Sequence, residues 1–276
     1  MNPKNIIILT GNDTRHKFFI HHLNANFSIS EVYVEMGHYP RPSPQSKEES
    51  IAWDWFFQRR ECYEKKLVRK SGRLIVKNKP KVTYLDNDEL NFPHTIAKIK
   101  KANPGFIAVF GTCILRKALL KEFSNRLLNL HIGDPEFYRG SSCNFWPIYQ
   151  GKLHHLSATI HRIDQNIDTG DILSKQAVIL SEKDNEQTLF LKPIILGTKL
   201  MINTIKKWQS ESLQSIPLNR SGKLYKKADF NPKVLLELKQ MVESGRLNNY
   251  IQASMDSSLA EIEFDPRLHP SVTRFS

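Results

Sequence analysis

The sequence predicts an α/β fold with a mostly parallel central sheet. Short apolar runs at residues 5–10, 106–110 and 127–131 are each followed within two residues by a glycine, as is typical of buried strands that enter a turn. Segments with helical periodicity at about residues 46–70 and 187–208 lie between and after these runs. Strands that alternate with helices are typical of parallel sheets built from βαβ units.

The N-terminal segment predicts a strand, a turn and a helix. The first apolar strand runs into a Gly-Asn-Asp turn, and a helix is expected over about residues 14–24, capped by Asp13 or Thr14. A helix N-terminus offers free N–H groups to an anion. Asn12 and Arg15 are therefore candidates for binding a substrate phosphate, beside the plainer interpretation of a capped helix start. The chain has no G-x-G-x-x-G motif, so a dinucleotide site is unsupported.

Weaker patterns fill the chain up to the second apolar strand. Strands are expected at residues 31–35 and 82–85, and helices at 46–70, which ends at a Ser-Gly pair, and at 96–102, which is closed by Asn-Pro-Gly. The longer helix is rich in aromatic residues. We expect these side chains to fill a core rather than to form a stacking platform: Trp53, Trp55, Phe56 and Phe57.

The second apolar strand ends in a turn that is suited to a flat ligand. Gly111 lets a ring approach the backbone, and Ile114 and Leu115 offer an apolar wall. Cys113 lies in apolar surroundings without an adjacent base, so it is expected to be an inert buried thiol. A helix at residues 116–123 then leads to the third strand.

Two polar side chains lie at the end of the strand at residues 127–131. Asn129 and His131 are two positions apart, so on a strand they share a face. They also lie at a carboxyl end, where ligands bind in open α/β sheets. An amide and an imidazole side by side can donate two hydrogen bonds to one developing oxyanion. A further helix is expected over residues 141–151.

Downstream, residues 156–163 and 171–178 predict two strands joined by a long functional loop. The loop adds a carboxylate, Asp168, to the candidate polar set. His161 falls in the middle of a strand and is expected to be a partnered structural histidine. No set of His, Asp and Glu has the spacing of metal ligands.

The chain of 276 residues is long enough for one large domain and a small appendage. We expect a core domain over residues 1–208 and a small, mainly helical C-terminal extension over residues 209–276. The extension contains a predicted helix at residues 232–242. From Asp256 onward the chain is expected to be irregular.

The net charge of +12 is concentrated in one segment. Residues 59–81 contain ten Lys and Arg against two Glu. A clustered basic patch can attract phosphates. The alternative is a solvated helix face with Glu–Lys and Glu–Arg pairs.

The three cysteines bear on compartment. Cys62, Cys113 and Cys143 have no paired spacing, which argues against a disulfide framework or a structural zinc site and for a reducing cytoplasm. The N-terminus offers only five largely apolar positions before Gly11, too few for a signal peptide, and no stretch approaches membrane-spanning length. A cytoplasmic protein without a membrane partner is expected.

Several spaced motifs agree with one known family. The pattern N-x-H-x(6)-Y-R-G over residues 129–140, followed by a strand and D-T-G-D at residues 168–171, resembles the folate-dependent formyltransferases. The run from YRG to NFWP is most similar to sugar N-formyltransferases of surface polysaccharide synthesis. The resemblance covers roughly residues 5–180. It departs at residues 133–135, where Gly-Asp-Pro replaces the Ser-Leu-Leu-Pro or Ser-Pro that members often have.

This resemblance implies a Rossmann-like formyltransferase core and specific roles for site residues. Asn129, His131 and Asp168 would be catalytic, with N10-formyltetrahydrofolate as co-substrate and no metal. The folate would be bound by Phe110, Gly111, Thr112, Ile114, Leu115, Asp164 and Ile167. The acceptor would be bound by Asn12, Arg15, Tyr138, Arg139 and Gly140.

The acceptor implied by the resemblance is the amine of a nucleotide-linked amino sugar. Nucleic acid is not expected as a partner, and a homodimer is left open. One alternative is a methionyl-tRNA formyltransferase, which would use a C-terminal barrel and a basic linker. Residues 181–276 carry 14 Lys and Arg against 11 Asp and Glu and look helical, which counts against that alternative. Another is a non-catalytic folate-binding protein, which the complete catalytic trio disfavours.

Overall fold

The computed structural model describes residues 5–37 and 40–263. In this part of the chain the strands are β1 (Asn5–Gly11), β2 (Ile29–Glu35), β3 (Lys81–Leu85), β4 (Pro104–Phe110), β5 (Leu127–His131), β6 (Tyr138–Gly140), β7 (Ser157–Arg162), β8 (Ile172–Ala177) and β9 (Lys223–Tyr225). The helices are α1 (Thr14–Asn26), α2 (Lys47–Ser71), α3 (Pro93–Lys101), α4 (Lys117–Glu122), α5 (Trp146–Tyr149), α6 (Glu186–Gln209), α7 (Pro232–Glu243) and α8 (Arg246–Glu263).

The central sheet has the strand order β3-β2-β1-β4-β5-β7-β8. The first five of these strands run parallel, and β7 and β8 are antiparallel additions. The predicted α/β fold with a mostly parallel sheet is therefore confirmed. Strand order reverses between β1 and β4, and ligands of open α/β sheets bind at carboxyl ends beside such a reversal. The carboxyl ends of β1, β4 and β5 thus define the edge where a site is expected.

Alternate residues of the central strands fill two cores, because successive side chains on a strand point to opposite faces. Ile6 and Ile8 of β1 pack with residues of α1 and α6, whereas Ile7 and Leu9 pack with residues of α3 and α4. By length and composition α6 could cross a membrane, so the expectation that no stretch approaches that length was too strong. However, 61% of its apolar window is buried inside the protein, as in the core helix of a globular fold.

A third apolar cluster joins α2 to the C-terminal helices. Phe56 of α2 is 1% exposed and packs in one cluster with residues of α5, α7 and α8. Trp53, Trp55 and Phe57 are partly buried against the same cluster. The predicted core role of these aromatic residues is therefore confirmed.

Two predicted elements were wrong. The helix expected over residues 141–151 is only the single turn of α5. Residues 141–145 form turns instead, and Ser142 has a φ of +57°, which a helix does not accommodate. The irregular tail expected from Asp256 is helical as far as Glu263, because Leu247 and Ile251 anchor α8 in the third cluster. The rest of that tail, residues 264–276, lies outside the described residues.

Strand β6, called the motif strand because it holds the Tyr-Arg-Gly motif of residues 138–140, pairs in parallel with β9, which follows α6 in the sequence. Two glycines make this close pairing possible. Gly140 has a φ of +85°, and a Cβ there would lie 2.3 Å from the carbonyl oxygen of Tyr225. A Cβ at Gly222 would lie 2.2 Å from the backbone of Phe137. The boundary at residue 208 stays a prediction, but the segment after it packs against the motif strand.

Candidate active site

The end of β5 brings a histidine from the neighbouring strand beside the two predicted residues. In the antiparallel pairing of β5 with β7, Asn129 lies opposite His161 and His131 lies opposite Thr159. Asn129 Nδ2 is 3.2 Å from His161 Nε2. The mid-strand histidine is partnered, as predicted, but its partners are the candidate catalytic residues.

Asp168 completes the cluster by lying between the two imidazoles. Its Oδ2 is 3.4 Å from His131 Nδ1, and its Oδ1 is 3.3 Å from His161 Nε2. The backbone N–H of Gly140 donates to Oδ2 at 2.8 Å. The structure therefore brings together Asn129, His131 and Asp168, which the sequence places 39 positions apart at most.

Backbone carbonyls fix one nitrogen of each ring, because a carbonyl oxygen can only accept a hydrogen bond. His131 Nε2 donates to the carbonyl of Tyr138 at 2.9 Å, and His161 Nδ1 donates to that of Arg162 at 2.8 Å. The other nitrogen of each ring faces Asp168. A neutral His161 can accept a hydrogen bond from Asn129 through its Nε2. A proton on His131 Nδ1 or on His161 Nε2 would instead make a charge-assisted contact with the Asp168 carboxylate.

Burial and charge act in opposite directions on this cluster. Burial would raise the pKa of Asp168, but the two imidazoles and the Gly140 N–H together hold this pKa well below its usual range. Burial also lowers the pKa of His131, and the opposing carboxylate of Asp168 does not fully offset that effect. Asp168 is consequently ionised at neutral pH.

The cluster also has the composition of a metal site. His131, His161 and Asp168 each offer one ligand atom, and these atoms lie within 4.8 Å of one another. Two histidines and a carboxylate can bind zinc or iron. The sequence spacing gave no sign of this set, because strand pairing brings the second histidine into it. The absence of a metal stays a prediction.

The turn after β4 has the features expected of a wall for a flat ring. Gly111 has a φ of +72° and an exposed backbone, and the apolar side chain of Ile114 is 67% exposed. Phe110 and Leu115 are buried and support this turn, and Thr112 donates its hydroxyl to a carbonyl within it.

The loop between β7 and β8 is tied to the motif strand. Asp164 accepts hydrogen bonds from the Asn166 N–H and the Thr169 hydroxyl, which shapes the loop. The carbonyl of Ile167 accepts from Arg139 Nη1 at 3.2 Å. Asp164 and Ile167, which are among the residues predicted to contact folate, therefore lie in the ordered turn that presents Asp168.

The residues predicted to bind the acceptor divide into two groups. Tyr138, Arg139 and Gly140 support the cluster through Tyr138 O, the Gly140 N–H and the Arg139 side chain. Asn12 is exposed at the end of β1, whereas Arg15 is paired with carboxylates.

The partners of Arg15 are Asp13 and Glu64, and the Arg15 N–H also donates to Glu64. A guanidinium whose charge is offset by two carboxylates attracts a phosphate weakly. The plainer interpretation of a capped helix start is the better account of Arg15.

The unusual Gly-Asp-Pro after His131 has a structural explanation. Asp134 is buried, accepts from the Glu136 N–H, and forms an ion pair with Lys175 of β8. Its charge is thus partly offset by a lysine of β8 that also pairs with Glu136. His161 is the residue that sequence reasoning placed outside the site. The alternation of β7 put His161 and Thr159 on one face, but the sequence does not tell which strand β7 pairs with.

Comparison with known proteins gives the family. The family model described as "Formyl transferase" matches residues 57–205. A methionyl-tRNA formyltransferase of Thermodesulfovibrio yellowstonii is 34% identical over 115 residues, which are 41% of this chain and 36% of that protein. The chain spans about a third to a half of the length of the curated relatives it matches.

Solved structures share the fold at low identity. A 4-N formyltransferase from Francisella tularensis has a TM-score of 0.55 and 15% identity over 82% of this chain and 78% of its own. An N-formyltransferase from Helicobacter canadensis, in complex with folinic acid and dTDP-3-aminofucose, has a TM-score of 0.52 and 15% identity over 84% and 78%. Since the family model covers more than half of the 276 residues, the chain belongs to the formyl transferase family.

Proposed function

We propose that this chain transfers a formyl group from N10-formyltetrahydrofolate to the amine of a nucleotide-linked amino sugar used in surface glycan synthesis. The observation that carries the proposal is the convergence of Asn129, His131 and Asp168 at the carboxyl end of β5. Family membership supports the reaction type. The convergence supplies the polar groups that such a reaction needs.

The chain's amide and imidazole donors can stabilise the charge that develops during transfer. N10-formyltetrahydrofolate supplies a formyl group that an amine can attack directly, and negative charge then develops on the formyl oxygen. Asn129 Nδ2 has two hydrogens and directs one toward His161, so the second is free for that oxygen. Loss of one preorganised donor of this kind costs about 3 kcal/mol, or about two to three decades in rate.

His131 can supply the second donor. Its Nε2 is held by Tyr138, and its Nδ1 lies 3.4 Å from Asp168, which is longer than an ordinary hydrogen bond. Because Nε2 already carries the proton that Tyr138 accepts, Nδ1 can donate only when the ring is an imidazolium, and its proton then faces both Asp168 and the formyl oxygen. Burial opposes this second proton. The ionised carboxylate favours that proton and stabilises the positive charge that the attacking nitrogen acquires.

The turn after β4 would hold the folate. An exposed glycine backbone beside the exposed Ile114 fits a flat, partly apolar ring. In this assignment the ring lies against Gly111, Thr112 and Ile114, supported by Phe110 and Leu115 from below. Asp164 and Ile167 close the opposite side through the loop that carries Asp168.

Two acceptors compete, and different observations favour them. The Helicobacter canadensis neighbour was crystallised with a dTDP-linked amino sugar, and α7 and α8 give the described residues after α6 a mainly helical character. Both favour the amino sugar. The curated relatives are named methionyl-tRNA formyltransferases, which makes that tRNA the second candidate.

An acceptor panel tests the proposal. The purified chain is incubated with N10-formyltetrahydrofolate and with UDP-, dTDP-, GDP- or CMP-linked amino sugars or methionyl-tRNA, and released tetrahydrofolate is measured at several salt concentrations. We expect turnover of one amino sugar with a shallow salt dependence, since a diphosphate offers only about two charges for counterion release. Efficient use of methionyl-tRNA with a steep salt slope, and of no amino sugar, would overturn the proposal.

Substitution of the two donors tests the site. Asn129→Ala and His131→Ala should each lower turnover by at least about two decades, since each removes a donor to the formyl oxygen. His94→Ala, at an exposed histidine on α3, is the matched control and should be unaffected. Near-wild-type turnover in either folded variant would remove that residue from the site.

A further inference from the structure

A cavity of about 280 Å³ lies between the β6–β9 ribbon and the short turn at Leu153–His155. Polar and aromatic side chains line it: Tyr138, Gln150, Lys152, His155, Lys223 and Tyr225. Two of these residues, Lys223 and Tyr225, come from the C-terminal segment. The cavity is separate from the buried cluster of Asn129, His131 and Asp168, but it shares Tyr138 with it.

The floor of the cavity has two hydrogen-bond donors that no acceptor among the described residues uses. The Tyr138 hydroxyl donates to Gln150 Oε1 at 3.0 Å, and Gln150 Nε2 donates to the Tyr225 hydroxyl oxygen at 2.8 Å. The chain of bonds thus ends at the proton of Tyr225, for which no acceptor lies within the described residues. The second hydrogen of Gln150 Nε2 has no acceptor among residues 5–37 and 40–263 either. Two such donors suit an oxygen-rich ligand.

The rim of the cavity is positively charged. Lys152 and Lys223 are exposed, and neither has a carboxylate within ion-pair distance in the described part of the chain. The nearby acids Asp134 and Glu136 are both paired with Lys175. Burial, and then the charges of His154, Lys152 and Arg220, lower the pKa of His155 to about 4, although Asp134 acts in the opposite direction. The potential in this cavity therefore favours an anion.

Flat side chains stand beside these cations. Phe137 stacks on His155 with ring centroids 3.6 Å apart, and the Arg220 guanidinium lies 3.9 Å from the Phe137 centroid. Aromatic and guanidinium planes bind nucleobases by stacking, and lysines bind phosphates. Their combination with free donors matches a nucleoside diphosphate better than a neutral sugar or an isolated phosphate.

Tyr138 links the cavity to the candidate active site. The Tyr138 ring borders the cavity while its carbonyl oxygen holds His131 Nε2. Two residues further along, the Gly140 N–H holds Asp168. A diphosphate in the cavity would therefore place an attached sugar next to the residues that position the catalytic cluster.

We propose that this cavity binds the nucleoside diphosphate of the acceptor, with Lys152 and Lys223 on the phosphates and the Tyr225 hydroxyl as a donor to them. The base stacks on the outer face of the Arg220 guanidinium, since His155 and Arg220 cover the two faces of Phe137. This assignment rests on the proposed amino-sugar acceptor and names the part of the acceptor that the chain recognises.

Binding of nucleotides that carry no amino sugar tests the assignment without any reaction. Calorimetry is run with dTDP, UDP, thymidine, uridine and pyrophosphate on the wild-type chain, on Lys152→Gln/Lys223→Gln and on Tyr225→Phe. The control is Lys101→Gln/Lys121→Gln, which removes the same charge at exposed lysines of α3 and α4. Thermal unfolding establishes that each variant is folded.

We expect a nucleoside diphosphate to bind the wild-type and control chains equally. The double lysine variant should bind at least about tenfold more weakly and Tyr225→Phe about fivefold more weakly, as charge-assisted bonds predict. Nucleosides or pyrophosphate that bind as tightly as the diphosphates would overturn the assignment, and so would unchanged affinity in the double variant.

Kinetics separate this assignment from the proposed function. With the amino sugar that the chain uses, the double variant should raise KM about tenfold and leave kcat near the wild-type value. The reason is that the phosphate contacts are equally strong in the bound substrate and in the transition state. Turnover of an amino sugar with unchanged KM would reject the cavity while the function stands. Lysine-dependent binding of dTDP or UDP by a chain that formylates only tRNA would reject the function while the cavity stands.

Discussion

Asp168 is the residue on which the geometry of the site depends. Its backbone φ of +52° lies in the left-handed region, which aspartate tolerates better than most residues. This conformation turns the carboxylate between two imidazoles and under the Gly140 N–H. One charged side chain therefore sets the orientation of both rings and, through His161, of the Asn129 amide.

Asp168→Asn should preserve the shape of the cluster and remove its charge. The amide cannot stabilise positive charge on either ring or on the attacking amine, so we expect turnover to fall by at least about two decades. Folate affinity, measured by fluorescence titration, should change far less. If folate binding collapsed while turnover at saturation held, Asp168 would be a folate contact instead.

His161 is expected to act as a positioning residue, since it touches Asn129 and Asp168. His161→Ala should lower kcat about tenfold with little change in KM, as loss of a supporting contact does. His161→Gln retains a polar side chain of similar reach and should recover part of the loss. Equal kcat in wild type and His161→Ala, or a rise in KM alone, would contradict this role.

Among the elements, α1 has an unusual start. The Asp13 N–H donates to His16 Nδ1 at 3.0 Å, so a histidine takes the place that Glu or Gln holds in a capping box. His16 Nε2 is buried without a partner in the described residues, and a Cβ on Gly111 would lie 2.3 Å from it. Burial lowers the pKa of His16 to about 4, although Asp13 opposes this.

This histidine should make stability sensitive to acid. The unfolded chain takes up a proton at His16 near pH 6.5 and the folded chain only near pH 4, so stability falls as pH decreases through that window. The full effect is about 3 kcal/mol, at ~1.4 kcal/mol per pH unit. His16→Gln keeps the cap acceptor and does not titrate. Its free energy of unfolding, from urea titrations at pH 5 and pH 7.5, should differ less between the two pH values. Identical differences in both chains would exclude His16.

The elements that the sequence predicted share a physical property. The Ile- and Val-rich strands β1 and β4 are buried on both faces, so their position follows from composition alone. The three-residue strands β6 and β9 have no such signal, because their pairing depends on two glycines and joins residues 85 positions apart. The same limit hid His161, since Asn129 and His131 share a strand but their neighbour is set by tertiary pairing.

Across the whole molecule, the basic segment runs from the carboxyl end of β1, where Arg60 lies 3.8 Å from Asp13, to the opposite edge of the sheet. Arg59 and Arg60 at its start are paired with Glu186 and Glu64. Further on, the Lys77 N–H donates to Asn24 O, and Asn78 bonds the backbone of Ile29. These contacts place the exposed lysines at the amino-terminal edge of the sheet. The interpretation of this segment as a solvated surface is favoured over that of a phosphate anchor.

Lys77→Gln/Lys79→Gln should therefore leave acceptor binding unchanged. A seven-residue strand spans roughly 20 Å, about two Debye lengths at physiological salt, so these charges are screened from the opposite edge. We expect the KM for the amino sugar to stay within about twofold of the wild-type value, in contrast to the cavity lysines. A large rise in KM would contradict this prediction and would indicate that the basic segment contacts the substrate.

The pairing of β6 with β9 also bears on how such a protein can diversify. Residues 57–205 carry the match to the family and the cluster of Asn129, His131 and Asp168, whereas Lys223 and Tyr225 reach the proposed nucleotide cavity from a later segment. If that cavity binds the acceptor, mutations after α6 would alter which acceptor is admitted and leave the inherited reaction intact. A duplicated gene could acquire a new acceptor by changing a few codons near β9, at a rate independent of its catalytic half.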